Sequence, residues 1–369
     1  MSRACTESNI LDQLRTVMDP ELHKDVVTLN MVRDIVIDGS SVTMRVVLTT
    51  PACPLRERIQ HDIEQALIGE IEGITAVRLT WDAEVTRMPG LPGRQEIPGV
   101  RNTIAVSAGK GGVGKSTVSV NLALALHATG ARVGLLDADI YGPNIPIMLG
   151  IEDEKIMGTN DEMYPVVVNG ISVISFGMVL KKGQPVIWRG PMLGKALREF
   201  LYNVVWGDLD YLIIDLPPGT GDVQLSLAQS APLGGAVIVT TPQDVAIADV
   251  ARGISMFQQL NVPVLGVIEN MSTFVCPHCG EETSIFGSGG GEEISSTYRI
   301  PLLGSLPLDP KIRTGVPGVG PVLVAEPDGP IAGAFRGVAE HLAGQVSTTN
   351  LSGMASPKLP SGPRIPLRQ

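Results

Sequence analysis

The stretch that most limits how this chain can fold is residues 109–117, Gly-Lys-Gly-Gly-Val-Gly-Lys-Ser-Thr. It follows a β-branched run at residues 102–106 and precedes a helix-patterned run at residues 118–129. Four glycines let successive backbone N–H groups converge on an anion, and the start of the next helix adds the positive end of its dipole. The stretch therefore predicts a loop between strand and helix that cradles nucleotide phosphates.

Individual residues of this phosphate loop have expected roles. Lys115 should reach the β- and γ-phosphates, and the Ser116 hydroxyl should bind Mg²⁺. A glycine-rich surface turn is the alternative interpretation, which the two flanking patterns disfavour. The expected nucleotide-binding residues are Gly109, Lys110, Gly111, Gly112, Val113, Gly114, Lys115, Ser116 and Thr117.

Composition excludes several other classes of protein. The chain has 369 residues, 44% of them hydrophobic, which is enough for two domains. Its net charge of −10 argues against a nucleic-acid partner. It has no apolar run approaching about 18 residues and does not open like a signal peptide, so we expect a cytoplasmic protein without a membrane partner. Four cysteines are too few for a disulfide framework.

Hydrophobic patterning predicts four regions. Residues 1–87 form a small α+β domain, residues 88–99 a Pro/Gly-rich linker, residues 100–346 the nucleotide-binding domain, and residues 347–369 a disordered tail. In the large domain, strand and helix patterns alternate, which predicts a mostly parallel sheet flanked by helices. Its expected strands include residues 132–136, 211–215, 236–240, 264–268 and 302–303.

The N-terminal domain should contain three strands and two helices. The expected helices are residues 10–18 and 56–71, and the expected strands are residues 32–37, 42–48 and 75–81. Cys53 stands near the start of the second helix, where the helix dipole favours a thiolate. A lone cysteine there is also commonly a small buried filler, so both interpretations stay open.

Carboxylates follow two of the predicted strands of the large domain. Asp137 and Asp139 come after residues 132–136, and Asp215 ends an apolar run in a Walker B pattern, whose carboxylate holds the water shell of Mg²⁺. The ends of parallel strands meet in one crevice, so these acids should face the phosphate loop. The loop at residues 216–222 is expected to change position between ATP and ADP states.

A Cys-x-x-Cys pair, Cys276 and Cys279, places two sulfurs where they can hold one metal centre. Tetrahedral zinc or a cubane cluster needs four ligands, and the chain has no second such pair. A symmetric dimer would supply four sulfurs from two subunits. A redox dithiol and a zinc site that includes His278 are alternatives, and ligand spacing does not choose between iron–sulfur and zinc.

Lys110 is a second lysine within the phosphate loop, and the pattern from Lys110 to Ser116 resembles the deviant P-loop of ATPases related to MinD, ParA and the arsenite-pump ATPase. The resemblance implies an ATP-sandwich homodimer in which Lys110 reaches the partner's phosphates. It assigns Asp139 to orienting the attacking water, beside Lys110 and Lys115 as catalytic residues. It also implies that Asp137 supports Mg²⁺ through water and that Asn270 contacts adenine, although asparagine often ends strands for local reasons.

The order of these motifs resembles the Mrp/ApbC-type iron–sulfur cluster carrier ATPases, and the N-terminal module resembles a domain of iron–sulfur assembly factors. The resemblance implies a slow ATPase that uses ATP and Mg²⁺ and holds a [4Fe-4S] cluster between Cys276 and Cys279 of two subunits. Apo iron–sulfur proteins and cluster-assembly factors would be its partners, with Cys53 as an auxiliary thiol. An assembly chaperone with structural zinc and a positioning ATPase acting on DNA or membrane are the competing functions. Acidic charge disfavours the second.

Overall fold

The computed structural model describes residues 5–89, 95–159, 161–179, 190–219, 221–314 and 320–352. The chain divides into two compact units, one of Met1–Thr86 with Ala343–Ser352 and the other of Arg87–Leu342. Residues 90–94 of the expected linker and residues 353–369 of the expected tail lie outside the described residues. Within the described ranges, no helix has the length and apolar character needed to span a membrane.

The first unit is an α+β module with a three-stranded sheet in the order β3-β4-β5, where β3 and β4 are antiparallel and β4 and β5 are parallel. Its core is formed by apolar side chains of both helices and of the sheet. Its elements are α1 (Glu7–Leu14), β1 (Met18–Asp19), β2 (Lys24–Asp25), β3 (Val32–Asp38), β4 (Ser41–Leu48), α2 (Arg56–Glu70) and β5 (Ala76–Ala83).

The first helix ends earlier than the sequence pattern indicates. It stops at Leu14, and Met18 instead pairs with Asp25 in the short strands β1 and β2. The Asp19 carboxylate accepts hydrogen bonds from the backbone N–H groups of Glu21 and Leu22, both at 2.9 Å. This local side-chain contact stabilises a turn in place of further helix.

The last helix corrects the expected tail. Helix α11 (Pro330–Leu351) continues through residues 347–351, the first part of the predicted disordered segment. Its end belongs to the first unit, where the Asn350 amide donates to the Thr86 carbonyl at 3.0 Å. These Ser-, Thr- and Asn-rich residues are ordered because tertiary contacts outweigh their low intrinsic helix propensity.

The second unit is built on an eight-stranded sheet in the order β10-β11-β7-β12-β6-β13-β14-β17, parallel except between β10 and β11, and it also contains two separate antiparallel pairs, β8 with β9 and β15 with β16. This confirms the predicted mostly parallel sheet. Helix α3 packs on β7 and β12, α7 packs on β13 and β14, and α8 packs on β14 and β17. The strands are β6 (Val100–Ser107), β7 (Val133–Asp137), β8 (Met157–Gly158), β9 (Met163–Tyr164), β10 (Val166–Val168), β11 (Ile171–Ser175), β12 (Leu209–Asp215), β13 (Gly235–Thr240), β14 (Val264–Glu269), β15 (Phe274–Val275), β16 (Glu282–Thr283) and β17 (Leu302–Ser305). The helices are α3 (Lys115–Ala128), α4 (Ile145–Leu149), α5 (Gly190–Tyr202), α6 (Asp222–Ser230), α7 (Asp244–Gln259), α8 (Gly290–Tyr298), α9 (Pro310–Thr314), α10 (Val322–Ala325) and α11.

Strand register aligns the polar ends of the central strands. Ser175 of β11 lies opposite Asp137 of β7, Asp137 lies opposite Asp215 of β12, and Asp215 lies opposite Val106 of β6. Parallel strands present their carboxyl ends at one edge of the sheet, so this register places two carboxylates and a hydroxyl beside the loop that leaves β6.

Candidate nucleotide and metal site

The glycine-rich loop joins β6 to α3, as its flanks predict. Gly112 and Gly114 have φ values of +83° and +82°, which glycine adopts without steric cost. A β-carbon at Gly109 would lie 2.6 Å from the backbone of Asp249, and one at Gly114 would collide with the Asn270 amide. Three of the four loop glycines are therefore required by backbone conformation or by close approach.

Lys115 lies among acids at the start of α3. Its ammonium is 2.6 Å from Asp215 Oδ2, 3.2 Å from Ser116 Oγ and 4.0 Å from Asp139 Oδ2. The Ser116 hydroxyl donates to the same Asp215 oxygen at 2.6 Å. Lys115 is 6% exposed and Asp215 is fully buried. The structure thus brings together the lysine, the hydroxyl and two of the three carboxylates that the sequence singled out.

A second serine completes the surroundings of Asp215. Ser119 donates its hydroxyl to Asp215 Oδ1 at 2.6 Å, so both carboxylate oxygens accept a hydroxyl hydrogen bond. Ser119 lies outside every motif that the sequence presents. Its spacing of four residues from Lys115, on the same helical face, was the signal that could have found it.

Asp137 is held in an environment that favours its neutral form. Burial, reinforced by the charge of Asp215, raises its pKa from 3.8 to about 7. The Ser175 hydroxyl, which donates to Asp137 Oδ2 at 2.8 Å, opposes this rise. Burial also raises the pKa of Asp139, against the effect of Lys115. Asp139 and Asp215 face one ammonium, and Asp137 can ionise near pH 7, so the site is short of positive charge, a setting in which a divalent cation is stabilised.

The raised pKa of Asp137 predicts a pH-dependent stability. Because the folded-state value of about 7 exceeds 3.8, folding favours the protonated carboxyl, and that stability is lost as pH rises through 7. Between pH 6 and 8 this group should cost the nucleotide-free protein about 1–1.5 kcal/mol of unfolding free energy. Asp137→Asn should remove that dependence in chelator-containing denaturant titrations.

The matched control is Asp328→Asn, which removes an exposed carboxylate of the same unit. It should retain the wild-type pH dependence. If Asp137→Asn and wild type lose stability equally between pH 6 and 8, Asp137 does not titrate in this range.

Lys110 contacts its own chain in this structure. Its ammonium lies 3.1 Å from Gln243 Oε1, and Gln243 directly precedes α7. The sequence predicted that Lys110 points toward a partner subunit, and it had not identified Gln243. Asn270, which is expected to contact adenine, is 5% exposed. Its side-chain amide donates to the Val113 carbonyl of the phosphate loop at 2.8 Å.

The segment after β12 contacts the residues that lead into the phosphate loop. The Gly219 N–H donates to the Ala108 carbonyl at 2.9 Å, and the buried Gln224 amide of α6 donates to Ser107 Oγ at 2.6 Å. Thr220 of the expected switch loop lies outside the described residues. Gln224 carries no recognisable sequence signal, because its contact joins two segments far apart in the chain.

The cysteine pair lies in a tight hairpin between β15 and β16. Gly280, at φ +74°, donates its N–H to the Cys276 carbonyl at 2.9 Å and closes the turn. The Cys276 side chain is half-buried and that of Cys279 is exposed. Hydrogen bonds from the backbone N–H groups of His278 and Cys279 lower the pKa of Cys276. This geometry favours a thiolate, the form that binds metals.

The pair offers two metal ligands on its own. Among the described residues, no group of three or more His, Cys, Asp or Glu side chains is arranged to hold a metal ion. Cys53 lies apart from the hairpin in sequence, and its half-buried side chain packs against the core of the first unit.

Two family models match the chain, one in each of its two units. The model of the iron-sulfur cluster assembly protein matches residues 7–80. The model of the NUBPL iron-transfer P-loop NTPase matches residues 99–343, well over half of the chain. The chain belongs to this family of iron-transfer P-loop NTPases. Membership agrees with the resemblance that the P-loop and the cysteine pair indicated.

Two proteins similar to this NTPase along nearly their whole length are named iron-sulfur cluster carrier protein. The one from Synechocystis is 50% identical over 351 residues, covering 94% of this chain and 99% of that protein. The one from Deinococcus radiodurans is 48% identical over 344 residues, covering 93% and 96%.

Two solved structures resemble the fold of this iron-transfer NTPase. A nucleotide-binding protein from Archaeoglobus fulgidus, solved in complex with ADP, is 42% identical with a TM-score of 0.53, covering 59% of this chain and 86% of that one. The cell division ATPase MinD of Pyrococcus furiosus has a TM-score of 0.50 at 23% identity, covering 65% and 98%. At that identity, the likeness concerns the fold alone.

Proposed function

We propose that this NTPase is an iron–sulfur cluster carrier that binds ATP, hydrolyses it slowly and passes its cluster to apo-proteins. The observation that carries the proposal is the Cys276–Cys279 hairpin, which combines a lowered thiol pKa with two cysteine ligands that no third ligand joins among the described residues. Two thiolates leave half of a [4Fe-4S] coordination sphere unfilled, and a second copy related by a two-fold axis supplies the other half. The names of the two relatives support the same cargo.

The nucleotide site fits ATP with Mg²⁺. Lys115 and the loop N–H groups would bind the phosphates, and Ser116 with Asp215 would hold Mg²⁺, while Asp137 acts through a water molecule. Mg²⁺ prefers oxygen ligands of this kind, and the ion would balance the negative charge of the buried carboxylates. When phosphate draws Lys115 away, Asp215 keeps its two serine hydroxyl donors. Asp139, close to Lys115, would orient the attacking water.

A homodimer accounts for two features together. Lys115 would bind the phosphates of the nucleotide in its own chain. Lys110 would then leave Gln243 and bind the phosphates of the partner's nucleotide. The same symmetry pairs the cysteine hairpins. The expected partners are apo iron–sulfur proteins and cluster-assembly factors in a reducing, cytoplasmic setting, and Cys53 is a candidate auxiliary thiol in the assembly-type unit.

Anaerobic reconstitution with iron and sulfide tests the proposal. We expect about two iron and two sulfide per chain, broad absorbance in the visible range and a dimer by size-exclusion chromatography. A protein that binds zinc without visible absorbance would instead be an assembly chaperone with structural zinc, because this hairpin suits either metal. A protein that remains monomeric with cluster components and ATP present would contradict the bridged site.

Lys110→Ala is expected to separate nucleotide binding from turnover. ATP affinity should stay within about threefold of wild type, and turnover should fall by about 10²-fold because a charge that stabilises the transition state is removed. Steady-state phosphate release and equilibrium nucleotide titration measure the two effects.

Gln243→Ala is the matched control, because it frees Lys110 from its contact within the chain. Turnover by this variant should equal or exceed that of wild type. A loss equal to that of Lys110→Ala would mean that the contact within one chain, rather than a contact across the dimer, is what turnover requires.

A further inference from the structure

A short stretch of chain runs from a residue that contacts the phosphate loop to the cysteine hairpin. Asn270 follows β14 immediately, and Cys276 comes six positions later, so the connecting chain spans at most about 20 Å. Both ends of this stretch, residues 270–276, contact parts of the proposed machinery. Its structure therefore bears on how nucleotide and cluster influence each other.

At the nucleotide end, two consecutive residues touch the phosphate loop. Asn270 donates its side-chain amide to the Val113 carbonyl at 2.8 Å, and its own N–H is held by the Thr240 carbonyl at 2.8 Å. A β-carbon at Gly114 would collide with that amide and lie 3.5 Å from the terminal methyl of Met271. A change in the conformation of the phosphate loop at Gly114 therefore meets the Asn270 side chain first, with the Met271 methyl beside it.

Met271 has a backbone conformation that its side chain disfavours. Its φ is +60°, in the left-handed region that glycine and asparagine occupy more readily than a long unbranched residue. Such conformations persist only where the surroundings impose them. Here the constraints on both sides of Met271 are the Asn270 contacts and the hydrogen bonds of Ser272.

Toward the cysteines, the stretch is fastened to the chain that follows β17. The N–H and the hydroxyl of Ser272 both donate to the Leu306 carbonyl at 2.9 Å, and the Leu308 N–H donates to the Thr273 carbonyl at 2.7 Å. β15 and the hairpin turn begin directly afterwards. These three hydrogen bonds fasten residues 272–273, so Met271 is the strained joint between the fastened segment and the contacts of Asn270 with the phosphate loop.

We propose that Asn270 and Met271 are positioning residues that couple the nucleotide state of the phosphate loop to the geometry of the Cys276–Cys279 pair. The inference rests on the proposed carrier function, since it needs a bound cluster and a bound nucleotide. Coupling between two binding sites is reciprocal, so the cluster must change nucleotide affinity by the factor by which nucleotide changes cluster affinity.

The test compares ADP affinity in cluster-free and reconstituted full-length protein by anaerobic titration. We expect the two dissociation constants of wild type to differ by at least about fivefold. Met271→Gly relaxes the joint and removes the side chain beside Gly114, so the ratio should fall below about twofold while cluster-free affinity is retained. Asparagine tolerates the left-handed backbone, so Met271→Asn should reduce the ratio only through the loss of side-chain packing. This variant replaces Met271→Gly in the test if the glycine variant does not fold.

Asn261→Gly is the matched control, because Asn261 has a φ of +53° just before the same strand β14 but at its opposite end. It should keep the wild-type ratio. A wild-type ratio near one, or an unchanged ratio in both folded Met271 variants, would overturn the coupling while leaving the carrier function intact. Failure of wild type to bind cluster or ADP would instead overturn the carrier function itself.

Discussion

Replacing Lys115 with alanine is expected to lower ATP turnover by about 10²–10³-fold. The ammonium is the positive charge that lies 2.6 Å from Asp215 and within 4.0 Å of Asp139. Without it, phosphate would meet buried carboxylates with no countercharge from α3, and the transition-state charge would lose its main side-chain donor. Phosphate release under saturating ATP and Mg²⁺ measures the loss.

The same substitution should also weaken the fold, because breaking a buried ion pair costs about 3–5 kcal/mol. Thermal melting of the variant therefore accompanies the kinetics, and turnover is compared at a temperature where both proteins are folded. Lys311→Ala removes an exposed ion pair with Glu326 and should change neither quantity appreciably. Turnover of Lys115→Ala within about threefold of wild type would refute the phosphate-binding assignment.

Cys276→Ser is expected to abolish reconstitution of a stable cluster. Cys276 is the more buried of the two hairpin cysteines, and backbone N–H groups already stabilise its thiolate. In a site shared by two copies, one substitution removes two of four ligands. Iron and sulfide should fall to less than about a tenth of the wild-type content, with ATP turnover maintained when no cluster is present.

Cys5→Ser is the control for that experiment, because it removes a thiol of the first unit to which no role is assigned. It should load iron and sulfide as wild type does. A full cluster in Cys276→Ser would show that the ligands lie elsewhere, and equal losses in both variants would point to general damage from thiol replacement.

Much of the fold and part of the site were predictable because their signals are local. The strand, loop and helix around residues 109–117 follow from glycine content and from the patterns on each side. The buried strands β7 and β12 begin within two residues of their predicted positions, because continuous apolar runs ending in aspartate are unambiguous. Helix ends were less certain, since Leu14 ends α1 for reasons that involve the turn at Asp19.

The partners of the site residues were mostly not predictable. Ser175, Gln224 and Gln243 contact residues tens of positions or more away in the chain, and serine and glutamine are too common on surfaces to stand out. Their roles depend on which strand lies beside which. The sheet order, with β12 between β7 and β6, is what brings Asp137 to Asp215 and gives it a pKa of about 7.

By itself, the sequence determined the phosphate loop, the cysteine pair and the mostly parallel sheet, because each depends on conformational preferences of neighbouring residues. Only the tertiary structure decided that α11 continues to Leu351, that Lys110 contacts Gln243 and that Asn270 donates to Val113 of the phosphate loop. The physical reason is that burial and hydrogen bonding between distant segments depend on packing, and packing is a property of the whole fold.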